Sequence, residues 1–197
     1  MPLRSLPESF LEQSLYLCRP IERNEMKKLL ILFAILALGL PAGAQEMSCT
    51  FVQKKTLKAT HKVIPGEGTI AFTAPDKLKM TYTVPEGEYL VIEGMELKSC
   101  VKGKVVTIDT TKNPRMRKMR NTLLNCITGT YEKAAQENDA TLIVEEKGGV
   151  KTVSMMAKKQ QPSGYSRIII DYNRKGLPVR MVLDEFTGIE TEYIFKY

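Results

Sequence analysis

From about residue 48 onward the chain alternates. Leu78, Met80, Tyr82 and Val84 are apolar, and Lys79, Thr81 and Thr83 between them are polar. This is the two-residue period of a strand with one buried face. Ile70 and Phe72 repeat it, as do Ile168, Ile170 and Tyr172, and then Val179, Met181 and Leu183. Turn residues separate the runs: Pro75-Asp76, Pro85-Glu86-Gly87, Glu93-Gly94, Lys102-Gly103, Gly148-Gly149, Ser163-Gly164, Lys175-Gly176 and Thr187-Gly188. Short strands joined by such turns predict an antiparallel meander. Eleven strands are expected, at about 48–58, 65–73, 77–84, 88–93, 95–101, 104–109, 140–146, 150–158, 165–172, 177–185 and 189–197.

One stretch, 110–139, breaks the pattern. Asn113-Pro114 supplies an N-cap followed by proline at the first helical position, and Gly129 supplies a stop. At helical spacing Met116, Met119, Leu123, Cys126 and Ile127 share one arc, with Arg117, Lys118, Asn121 and Asn125 largely opposite. Arg115 and Arg120 flank that arc, so each must snorkel or find a partner. A shorter, more polar helix is expected at roughly 130–138. The fold class is therefore mainly β with a helical insertion, an α+β arrangement. A sheet of this length must curl, and the amphipathic helix is available to cover its concave face.

Upstream of the strands, Met26-Lys27-Lys28 precedes Leu29–Leu40, twelve residues without a charge, and then Pro41-Ala42-Gly43-Ala44-Gln45. A basic start, a short apolar run and a small-x-small site form a secretory signal peptide. Twelve helical residues rise only about 18 Å, too little to span a bilayer core. Cleavage is expected after Ala44, and residues 1–25 are read as an upstream extension ahead of a start at Met26, a long basic leader being the alternative. The mature chain would be residues 45–197, one domain, with 24 basic and 18 acidic residues and a charge of +6. Glu46-Met47-Ser48-Cys49 lacks the small residue before cysteine that lipid attachment wants, so the mature protein is read as soluble.

Export permits disulfides, and Cys49, Cys100 and Cys126 remain. At most one internal pair can form. Cys100 with Cys126 is the candidate, and three buried free thiols are the alternative.

Little in the chain points to catalysis. It holds one histidine, His61, within the polar run Lys58–Lys62, and no acid or nucleophile pattern surrounds it. Glu145-Glu146 and Asp184-Glu185 are adjacent on strands and so face opposite ways. Phosphate loops, zinc-protease and hydrolase signatures are missing, and neither a cofactor nor a metal is expected. The cluster Lys112, Arg115, Arg117, Lys118 and Arg120 could steer the protein to an acidic partner or anionic headgroups, or be a solvated face. No aromatic-interleaved basic strand accompanies it, which argues against nucleic acid. Met116, Met119, Met155, Met156 and Met181 suit an adaptable lining as well as plain core packing.

Several segments together resemble the periplasmic lipoprotein carrier LolA and its relatives. They are Phe51-Val52-Gln53, Gly66–Ile70, Ala74–Met80, Pro85 with Leu90–Gly94, and the end of the chain from Asp184 through Phe195. The resemblance implies a half-barrel of about eleven strands, with one or two helices, about 113–138, lidding a hydrophobic cavity. It implies a monomeric, non-enzymatic periplasmic carrier of lipoprotein acyl chains or another lipid. An inner-membrane ABC transporter would load it, and an outer-membrane acceptor would unload it. Joined to the alternation, it implies a lining of Phe51, Ile70, Phe72, Leu78, Met80, Tyr82, Leu90 and Ile92 from the sheet, and Met116, Met119, Leu123 and Ile127 from the lid. Lys79 and Arg120 would be the lid contacts.

Three features depart from the family. Few residues remain for a helix before the first strand. Lys79 stands where the family has an arginine, and Met80 where it has an aromatic. Alternation sends Lys79 to water, whereas the family analogy sends it to the lid. A lipid- or peptide-sensing module of the same fold, acting on a membrane partner, is the competing function.

Overall fold

The computed structural model describes residues 46–197. The proposed signal peptide, its cleavage site and the upstream extension lie outside the described residues. Eleven strands form one antiparallel sheet: β1 (Glu46–Leu57), β2 (Lys62–Thr73), β3 (Lys77–Val84), β4 (Tyr89–Glu93), β5 (Glu96–Val101), β6 (Lys104–Asp109), β7 (Ala140–Lys147), β8 (Val150–Ala157), β9 (Tyr165–Tyr172), β10 (Pro178–Glu185) and β11 (Ile189–Lys196). Two helices, α1 (Pro114–Ile127) and α2 (Tyr131–Glu137), lie in sequence between β6 and β7. The expected eleven strands are those observed, with ends differing by three residues at most.

Strand order is β6-β5-β4-β3-β2-β1-β11-β10-β9-β8-β7. Strands adjacent in the sheet are adjacent in sequence except at the centre, where β1 meets β11, Phe51 opposite Phe195. The two free edges, β6 and β7, are thus the strands that flank the helices. The helical segment has to travel from one edge of the sheet to the other, and its apolar residues join the core on the way. Leu123, Leu124, Cys126 and Ile127 of α1 and Ala134 and Ala135 of α2 pack in one cluster with Met47, Phe51, Ile70, Leu78, Ile92, Met155 and Ile170. The result is an open half-barrel whose concave face is covered by helix.

Local chemistry explains the insertion. Thr110, wholly buried, ends β6 by donating from its Oγ1 to the Met95 carbonyl oxygen at 2.7 Å. Asn113 then caps α1, its Oδ1 accepting from the Met116 amide at 3.1 Å, with Pro114 in the first turn. Gly129 follows the helix at φ 73°, a left-handed turn that glycine takes without strain. The two helices are joined by Asn138, whose Nδ2 donates to Thr122 Oγ1 at 2.7 Å and to the Ala134 carbonyl at 2.8 Å. Tyr172 of β9 donates to the Cys126 carbonyl at 2.6 Å, fixing the end of α1 to the sheet.

The outer face of β9–β11 is held by charge. Lys58 Nζ bonds Asp184 at 2.7 Å, Arg167 bonds Glu190 at 3.2 Å, and Arg180 bonds Glu192 at 2.7 Å. Asp184 therefore points outward while Glu185 points in, as their adjacency on a strand requires.

Candidate lipid-binding cavity

The concave face is set by register. Leu78 pairs with Ile92 and Met80 with Leu90 across β3 and β4, and Ile70 faces Met80 from β2. All of these turn inward beneath α1. Above them Met119, Leu123 and Ile127 project from α1, and between the two layers lies a cavity of about 540 Å³. The opposite wall comes from the C-terminal strands through Met181, Leu183, Tyr193 and Phe195. The lining is predominantly apolar, with Gln53, Glu88, Lys55 and Lys102 toward the β1–β5 side and Glu185 toward the other.

Aromatic rings brace the floor. Phe51 meets Tyr82 edge-on with centroids 5.1 Å apart, and Tyr193 at 5.8 Å. Tyr82 donates its hydroxyl to Gln53 Oε1 at 2.7 Å, so the one buried amide of the floor is satisfied. Burial pushes the hydroxyls of Tyr82 and Tyr193 above their ordinary range, and both stay protonated at neutral pH.

Of the residues expected to line a cavity, Ile70, Leu78, Met80, Tyr82, Leu90, Met119, Leu123 and Ile127 do so. Phe51, Phe72 and Ile92 do not border the cavity and pack in the core behind its lining. Met116 lines a smaller groove next door. Lys79 requires a correction as a lid contact: it is exposed on the outer face, beside Thr81, Val91 and Glu93, because period two puts it opposite Leu78 and Met80.

The lid contact is made by Arg120. Its side chain, 7% exposed, donates from Nε to the Gly94 carbonyl at 2.6 Å and pairs through Nη2 with Asp76 at 3.2 Å. A helix arginine reaching two turns of the sheet rim thus ties α1 down. The Cys100–Cys126 pairing is not formed; Cys49, Cys100 and Cys126, the three cysteines among the described residues, are buried free thiols, the alternative arrangement. Burial pushes the Cys126 thiol up to about 12.

Tyr165, Leu183 and Tyr193 border the cavity as well, outside the lining expected from sequence. Leu183 and Tyr193 follow the inward parity of Met181 and Phe195 and were legible from it. Tyr165 was not, since alternation from Ile168 turns it outward. The register shift between Asp184 and Glu185 pairs Tyr165 with Glu185 and brings both to the cavity. Among the described residues no three His, Cys, Asp or Glu side chains are placed to hold a metal ion, and no helix is long and apolar enough to cross a membrane.

An open eleven-stranded half-barrel with a tied-down helical lid over an apolar cavity defines the class of protein at hand. The sequence matches the family model of the outer membrane lipoprotein carrier protein LolA over residues 42–197, and the chain belongs to that family. Similar solved structures include a LolA superfamily protein from Nitrosomonas europaea, at 7% identity and TM-score 0.38, covering 79% of this chain and 86% of that one. Another is lipoprotein LppX from Mycobacterium tuberculosis, at 11% identity and TM-score 0.35, covering 78% and 86%. A DUF1329 family protein from Desulfovibrio piger gives 10% identity and TM-score 0.35, covering 79% and 85%. The curated proteins contain no match.

Proposed function

We propose that the protein is a periplasmic carrier that shields acyl chains of a lipoprotein or another lipid between sheet and lid and ferries them toward the outer membrane. The observation that carries this reading is the cavity of about 540 Å³ with apolar walls on both sides, Ile70, Leu78, Met80 and Leu90 below and Met119, Leu123 and Ile127 above. Family membership supports it, as does the signal peptide read from residues 26–44. Its action is binding and release, with no bond made or broken. An inner-membrane ABC transporter would load it and an outer-membrane acceptor would empty it.

Each methylene moved from water into such a cavity gains about 0.8 kcal/mol, so a whole acyl chain gains on the order of 10 kcal/mol. Lid opening and lost chain freedom offset part of that. Met119 and Leu123 project from α1 onto the cavity, and the packing they would give up to an acyl chain lowers the net gain further, which keeps release within reach. Replacing Leu123 by Glu places a charge against the acyl chain. It is expected to lower affinity for a fluorescent fatty-acyl probe at least tenfold while the β-sheet circular dichroism spectrum is kept. Unchanged probe affinity in a folded variant would remove α1 from the site and with it this reading.

A further inference from the structure

A second groove, of about 300 Å³, opens beside the N-terminal half of α1, between that helix and the 158–164 segment. Its apolar floor is Met116 and Met119, and its rim carries Arg115, Lys118, Gln161 and Ser163. Three residues, Met119, Tyr165 and Glu185, line both this groove and the main cavity. The two spaces therefore abut at one junction, both with mostly apolar walls, and the smaller one carries Arg115 and Lys118 at its rim. An apolar chain in the larger space and an anionic group at that rim together describe an amphiphile.

Charge decides which headgroup fits. α1 contains no Asp or Glu over 114–127, whereas Arg115, Arg117 and Lys118 crowd its first half. Lys118 is engaged only by Gln161, at 3.4 Å. Glu185 is the one carboxylate on the groove, and it stands at the junction, accepting from Thr187 Oγ1 at 3.0 Å. An oxyanion directly at the junction would meet that carboxylate. One set a few atoms beyond it would meet a guanidinium and an ammonium, the pair suited to a phosphate.

We propose that this groove is a headgroup subsite, and that the cargo is an amphiphile whose chain lies in the main cavity and whose phosphate-type oxyanion is held by Arg115 and Lys118. The proposal rests on the carrier reading and narrows its cargo. Isothermal titration of the full chain with dodecyl phosphate, dodecyl maltoside and inorganic phosphate, each amphiphile below its micellar concentration, tests it. The expected result is dodecyl phosphate binding at least tenfold tighter than dodecyl maltoside, with inorganic phosphate far weaker than either. In the Arg115→Glu, Lys118→Glu double variant the phosphate advantage should vanish while maltoside affinity is kept. Equal affinity for the two amphiphiles in the unaltered protein would overturn the subsite and leave the carrier standing. So would loss of the phosphate advantage in Lys102→Glu, at the other mouth, instead of the double variant. Inorganic phosphate as tight as dodecyl phosphate would make the groove an ion site unconnected to the cavity, also against the proposal. If neither amphiphile binds, both readings fall.

Discussion

Gly68 is a single residue on which the geometry of the sheet depends. It faces Tyr82 where β2 and β3 shift register, and an added Cβ would run into the Thr81 carbonyl oxygen and press the Phe51 ring at 3.0 Å. The backbone of β3 is hydrogen-bonded on both sides and has nowhere to go. Gly68→Ala is expected to lower stability by about 2 kcal/mol, read as a fall in the urea midpoint with an unchanged slope. Cys126 makes a prediction of the opposite kind, invisible at neutral pH. With its thiol raised from 9.0 to about 12, the folded state holds a proton that the unfolded state gives up first. Its contribution is fully present below about pH 9 and is lost between there and about 12, so stability falls with rising pH. Urea midpoints at pH 8 and pH 10.5 should drop less in Cys126→Ala than in the unaltered protein. An equal drop in both would assign the alkaline sensitivity elsewhere. At this scale alternation located Leu78, Met80 and Lys79 correctly, and the analogy that sent Lys79 to the lid failed against it. Tyr165 escaped because a bulge reverses parity and leaves no mark in local composition.

Among the elements, α1 was the most legible and its attachment the least. Its cap at Asn113, its proline start and its glycine stop are local signals, and the apolar arc follows from spacing alone. What holds it in place comes from turns distant in sequence: Gly94 and Asp76, which meet in space at Arg120. Position 120 flanks the arc, and sequence could say only that the arginine needed a partner. Removing it leaves the Gly94 carbonyl unpaired by the side chain and frees Asp76. Arg120→Ala is expected to cost about 2 kcal/mol and to act on the helix first. Amide exchange across 114–127 should speed up severalfold while β1, β2 and β11 keep their protection. Arg120→Lys should not restore it, since an ammonium cannot reproduce the fork that serves both acceptors. Uniform acceleration across the sheet would mean that the arginine supports the whole fold and not the lid.

The whole molecule follows from one topological choice. Joining β1 to β11 at the centre places both free edges next to the helical insertion, so the segment linking β6 to β7 must cross the concave face. Strand count and the position of the insertion were readable from alternation and turns, whereas the β1–β11 pairing that sets the sheet order was not, because it joins the two ends of the strand series. The cavity was readable only in part. Sequence separates inward from outward residues, but it does not tell a residue packed behind the cavity, such as Phe51 or Phe72, from one that borders it, such as Ile70. That distinction depends on how far α1 stands off the sheet, and only three-dimensional packing sets it. The central claim is that this standoff is room for an acyl chain. Native mass spectrometry of the protein released from the periplasm without detergent measures it directly. A carrier predicts a population heavier than the polypeptide by the mass of a lipid or acylated peptide, reduced in Leu123→Glu. Only the unliganded mass, both as released and after incubation with phospholipid vesicles, would contradict it.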